Sequence, residues 1–135
     1  MKAKKYVSLI LISVVVILEL LPCGAVLNFA NPVGEPFRET FSYFSLTPFG
    51  YANFGPLLTA VLSVVILLHI VATIIYKSKN LWKGIRVESA IASLLSLLPV
   101  AYGFEYYTGI GFAITILLVI TFFTSSMRGE NNNEE

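Results

Sequence analysis

Charge is scarce in this 135-residue chain: Asp, Glu, Lys and Arg make up 13% of it, where soluble domains average about 25%. That shortage excludes an ordinary water-soluble fold. One cysteine, Cys23, excludes an intramolecular disulfide. A single histidine, His69, with no second His or Cys at ligand spacing, excludes a conventional metal site. No Asn-x-Ser/Thr acceptor occurs, because Asn31 precedes Pro32 and Asn53 precedes Phe54-Gly55. The cations are too few and too scattered for a nucleic-acid surface. No catalytic motif is present, and neither an enzyme nor a cofactor is expected.

What the chain has instead is apolar length. Four stretches, Tyr6–Leu27, Pro56–Tyr76, Ile85–Phe104 and Thr108–Thr124, are apolar almost throughout. A hydrocarbon core about 30 Å thick is crossed by about 20 residues of helix, with a range of about 17–25. These lengths predict an all-α membrane protein: a four-transmembrane-helix bundle of two helical hairpins, one domain over residues 1–127. Residues 128–135, charged and Asn-rich, are expected to form a disordered cytoplasmic tail.

Orientation follows from the cations. Lys2, Lys4, Lys5, Lys77, Lys79, Lys83, Arg86 and Arg128 flank one set of span ends, and of the nine cations only Arg38 lies in the long connection between spans one and two. Short Lys/Arg-rich loops stay cytoplasmic. Both termini are therefore expected inside a cell membrane, taken as bacterial, with the Asn28–Gly55 loop outside. The first span also has features of a lipoprotein signal: a Lys-rich start, an apolar run and Cys23. Pro22 occupies the place of the small residue that cleavage requires, and the apolar run continues to Leu27. The segment is expected to be retained.

The outer loop is dense in aromatics, with Phe29, Phe37, Phe41, Tyr43, Phe44, Phe49, Tyr51 and Phe54 among Pro and Gly. Solvated linkers are aromatic-poor. Phe37, Phe41 and Phe44 fall at i, i+4, i+7 behind Pro36, which predicts a short interfacial helix. The same residues also fit a two-residue alternation, which would be a strand. Phe37, Arg38, Phe41, Tyr43, Phe44 and Tyr51 form the candidate binding surface of this loop, read either as a lid for a partner or ligand or as an aromatic belt over the bundle.

A charge inside a span costs about 2.5–3.5 kcal/mol on insertion scales, which singles out Glu19. At about 1.5 Å per residue it lies on the order of 20 Å from Tyr6, on one face with Ser8, Ile12, Val15 and Cys23. Ser63, Ser96–Pro99 and Gly111 fall at the same depth. His69 lies roughly 10 Å from Tyr76, with Ser13 and Ser93 as expected neighbours in depth. Glu19, Ser63, His69 and Ser96 form the candidate intramembrane polar site, either a proton or cation site or a set of structural hydrogen bonds. Glu88 reads as an interfacial charge neutralised by Lys77, Lys79 or Arg86. Small residues at Thr59/Ser63, Ser89/Ala92/Ser93/Ser96 and Gly111/Thr115 mark faces where backbones approach closely.

Leu18-Glu19-Leu20-Leu21-Pro22 echoes Leu95-Ser96-Leu97-Leu98-Pro99, and Tyr51, Gly55 and Thr59 recur in the spacing of Tyr107, Gly111 and Thr115. This pattern is compatible with a parallel repeat of two hairpins. A glutamate in the first of four spans superficially resembles the small multidrug resistance transporters, in span count and that one residue. The surrounding Ile17–Pro22 lacks that family's Gly-Thr context, and the long outer loop is foreign to it. The resemblance implies only a test of Glu19. The expected role is an accessory or structural subunit acting on the lipid bilayer and a membrane-protein partner or second copy. A small oligomeric transporter or channel using Glu19 is the alternative.

Overall fold

The computed structural model describes residues 2–77 and 79–127. The chain is mostly helical, 72%, with a small two-stranded sheet. In order come α1 (Lys2–Leu20), β1 (Ala25–Phe29), β2 (Phe37–Phe41), α2 (Leu46–Gly50), α3 (Gly55–Tyr76), α4 (Lys79–Ser96), α5 (Leu98–Tyr102), a 3₁₀ turn (Phe104–Tyr106) and α6 (Gly109–Ser126). Among the described residues three helices are long and apolar enough to cross a membrane: Gly55–Tyr76, Asn80–Tyr102 running through α4 and α5, and Gly109–Ser126. The tail expected to be disordered, from Arg128 onward, lies outside the described residues.

The long helices pack side by side, α1 against α3 and α6, and α4 against the same two. Their interior is unusual. Ser8, Thr59, Ser63, Ser89, Ser96, Thr121 and Ser125 are fully buried, while Ile10, Ile17, Leu68, Ile75, Leu94 and Phe112 are each more than half exposed. Water would drive those aliphatic chains inward at about 25 cal/mol per Å²; a lipid surround removes that drive and lets small residues take the contact faces. Most of the buried hydroxyls are satisfied within their own helix. Thr59 donates to the carbonyl of Gly55, Ser89 to that of Ile85 and Ser93 to that of Ser89, all at 2.7 Å.

The first apolar stretch does not form one helix to Leu27. It ends at Leu20, and Ala25–Phe29 becomes β1. Pro22 is the cause: it has no N–H for the helical ladder, and its ring disfavours helical geometry at the residue before it. The last turn tightens, Leu21 N–H donating to Leu18 O at 3.2 Å. Hydropathy persists past this point, but helicity does not. The charge-free run Tyr6–Leu18 rises about 20 Å, shorter than the 30 Å slab.

The interfacial helix expected over Phe37–Phe44 is likewise absent; Phe37–Phe41 is β2. It pairs antiparallel with β1, Ala25 opposite Phe41 through Phe29 opposite Phe37. The two-residue alternation prevails because a partner strand is present, and Phe29 stacks on Phe37 at 5.2 Å. The ladder continues where Gly24 N–H donates to Phe41 O at 3.1 Å. A short helix does form further on. Ser45 caps α2, accepting from Thr47 N–H at 3.3 Å.

Candidate functional site

Glu19 occupies the last turn of α1, where the helix dipole is negative and a carboxylate is least welcome. It is nevertheless fully buried. Ser63, near the middle of α3, donates its hydroxyl to Glu19 Oε1 at 2.8 Å. Glu19 Oε2 has no hydrogen-bond partner among the described residues. The Glu19 backbone carbonyl, left over at the helix end, accepts the Tyr43 N–H at 2.9 Å. Side chain and main chain of one residue thus tie α1 to α3 and to the hairpin.

Tyr43 is the wedge between hairpin and helices, only 1% exposed. Its ring fits because residue 24 is Gly: a Cβ there would lie 2.9 Å from Tyr43 Cδ1. A Cβ on Gly111 of α6 would lie 3.1 Å from the Tyr43 hydroxyl. Burial pushes the Tyr43 phenol well above the ordinary tyrosine range, and the neighbouring Tyr107 and Glu19 add to the rise. Tyr43 therefore stays protonated.

A second chain of hydroxyls lies alongside. Tyr107 donates to Gly111 O at 3.1 Å and is hydrogen-bonded to Thr115. Thr115 is in turn 2.8 Å from Ser96 Oγ, across the α4–α6 contact. The Tyr107 phenol is raised by burial, with the Thr115 hydrogen bond opposing. Thr108 caps α6, accepting from Gly111 N–H at 2.9 Å, and donates to Gly24 O at 2.8 Å. The end of the bundle beneath the hairpin is therefore laced by polar contacts from every long helix.

Of the four residues singled out as a polar site, Glu19 and Ser63 meet directly, and Ser96 belongs to the adjacent Thr115–Tyr107 chain. His69 lies elsewhere. Its Nδ1 is 2.8 Å from the Glu88 carboxylate, joining α3 to α4 and giving Glu88 a partner in His69. Arg86 donates instead to Ser126 O at 3.4 Å. Counting residues outward from Tyr76 and from Lys79 brings His69 and Glu88 to similar depth, and that count would have found the pair. Nothing local in the sequence would have found Tyr43, which reaches its neighbours through the hairpin. Among the described residues no three His, Cys, Asp or Glu side chains gather as a metal site.

The outer-loop surface divides in two. Phe37 and Tyr51 are exposed, packing against either side of Phe29, and Arg38 beside them is exposed. Phe41 and Phe44 are half-buried against the core, and Tyr43 is withdrawn from the surface altogether. The strand places Phe37 and Phe41 on one face at opposite ends; residues Phe37 to Thr40 are exposed and only Phe41 is partly covered.

No protein-family model, curated protein or solved structure matches this chain.

Proposed function

We propose that the chain is a four-helix transmembrane protein whose spans are α1, α3, α4 with α5, and α6, arranged as two hairpins. Both termini and the connection between α3 and α4 face the cytoplasm, and the β-hairpin cap faces outward. It acts as an accessory or structural subunit that presents this cap to a membrane partner. The observation that carries the reading is the double tether of Glu19: Ser63 holds its side chain and Tyr43 its carbonyl, so the buried acid rigidifies the join between cap and bundle. Below it the interior of α1, α3 and α6 is filled by Val15, Ile12, Ile66, Ile70 and Leu118, all fully buried, a packing suited to a scaffold. The test is purification in mild detergent with and without Phe37→Asp and Arg38→Glu. A membrane protein recovered at fixed stoichiometry and lost with the cap substitutions is expected. A self-associated chain with no other component would remove the reading.

The second reading is proton or cation coupling at Glu19, favoured by the unpartnered, buried Oε2. Four short helices enclose little polar volume, so such a pathway would require an oligomer. A Glu19→Gln variant that keeps every ion- or proton-coupled flux of the wild type would remove it.

A further inference from the structure

A pocket of about 200 Å³ opens in the cap, lined by Leu27, Tyr51, Asn53, Tyr102 and Tyr106. It takes one residue from β1, two from the loop after α2, one from α5 and one from the 3₁₀ turn. Its entrance is accessible, since Tyr51 is 65% and Tyr102 55% exposed. Asn53 is the reverse: it is 5% exposed, and neither Nδ2 nor Oδ1 has a hydrogen-bond partner among the described residues. Buried amides are ordinarily satisfied, so a buried carboxamide in a pocket wall with both functions unpartnered is a recognition group awaiting its complement.

The backbone around Asn53 is fixed. Asn53 N–H donates to Pro48 O at 2.9 Å, and Tyr102 donates its hydroxyl to Ala52 O at 3.1 Å. Ala52 takes a left-handed conformation, φ 65°, that turns the chain into the pocket. The ligand chemistry then follows from the lining. No charged side chain contributes, so neither a phosphate nor a metal cation finds a counter-charge. The Asn53 amide calls for an acceptor beside a donor, which two neighbouring hydroxyls provide. Tyrosine rings present flat apolar faces rimmed by hydroxyls, matching a ring that is apolar on its faces and polar at its edge. The volume is below the roughly 300–1,000 Å³ of sites for drug-sized ligands, enough for a single small ring.

We propose that this pocket binds one ring of a neutral sugar, either a free hexose or the headgroup of a glycolipid at the outer membrane surface. The inference is independent of the scaffold reading; only its glycolipid source rests on the outward orientation of the cap proposed above. The experiment uses full-length protein labelled with ¹⁵N-asparagine in a polyoxyethylene detergent, because glycoside detergents would compete. One arm titrates glucose, galactose and mannose. The other compares phosphatidylcholine nanodiscs with and without monoglucosyl diacylglycerol. A saturable shift of the Asn53 side-chain amide in either arm is expected, and the responding arm identifies the source. Calorimetric affinity for that sugar should fall at least tenfold in Asn53→Ala and in Tyr51→Ala, the latter an exposed position, with an unchanged thermal melt of each variant showing that the fold is kept. Absence of a saturable shift in both arms, an equal response to acetamide, or wild-type affinity in both variants overturns the proposal.

Discussion

Ser63 Oγ and Glu19 Oε1 lie 2.8 Å apart, joining α3 to α1 through residues 44 positions apart in the chain, inside an interior closed to solvent. The contact is the polar centre of the fold. Removing the donor leaves a buried acceptor unmatched, which costs about 1–3 kcal/mol. Ser63→Ala should destabilise the protein by that amount in reversible unfolding from detergent micelles, whereas Ser63→Thr, which keeps the hydroxyl, should cost less. Equal stability of Ser63→Ala and wild type would show that the pair contributes nothing.

Tyr43 gives a contrast between volume and hydroxyl. Tyr43→Ala empties a site that is 1% exposed and should cost about 3–5 kcal/mol, the range for large aromatic truncations. Tyr43→Phe keeps the ring against Gly24 and should cost no more than about 1.5 kcal/mol. Thermal unfolding of the two variants side by side would separate these effects.

Alkaline stability follows from the same residue. Burial holds the Tyr43 and Tyr107 phenols above their ordinary range. The unfolded chain releases these protons near pH 10, while the folded chain keeps them. Above that pH the folded state binds more protons than the unfolded, and stability falls as pH rises. Their contribution is complete below about pH 10 and is lost above it. Unfolding measured from pH 9 to 11 should show this decline, and Tyr43→Phe should flatten it. An identical slope in the variant would assign the alkaline loss elsewhere.

The His69–Glu88 contact is partly open, with side chains 35% and 20% exposed. A double-mutant cycle with His69→Ala and Glu88→Gln should return a coupling of about 0.5–1.5 kcal/mol, that of an ordinary hydrogen bond. Coupling indistinguishable from zero would mean that the two side chains do not meet in solution.

Cys23 is the only cysteine and is exposed just beyond α1, a native reporter of sidedness. With the cap outward, a membrane-impermeant maleimide added to intact cells should label it, and Cys23→Ser should abolish labelling. Labelling only after the membrane is opened would invert the proposed orientation.

Apolar length by itself located α3, α6 and most of α4 with α5, whose helix begins at Lys79 rather than Ile85, because hydrocarbon transfer sums over residues whatever their neighbours. Depth counting along helices also put Glu19 level with Ser63, since helical rise is the same in every span. Hydropathy could not see that Pro22 ends α1, because transfer free energy is blind to a missing backbone N–H. Nor could spacing decide between helix and strand at Phe37–Phe41, where both periods fit; pairing with Ala25–Phe29 decided it. Tyr43 beneath the hairpin and the unpaired amide of Asn53 came only from tertiary structure. Each depends on groups brought together across the chain, and a directional hydrogen bond is set by the position and angle of both partners, which residue identity does not specify.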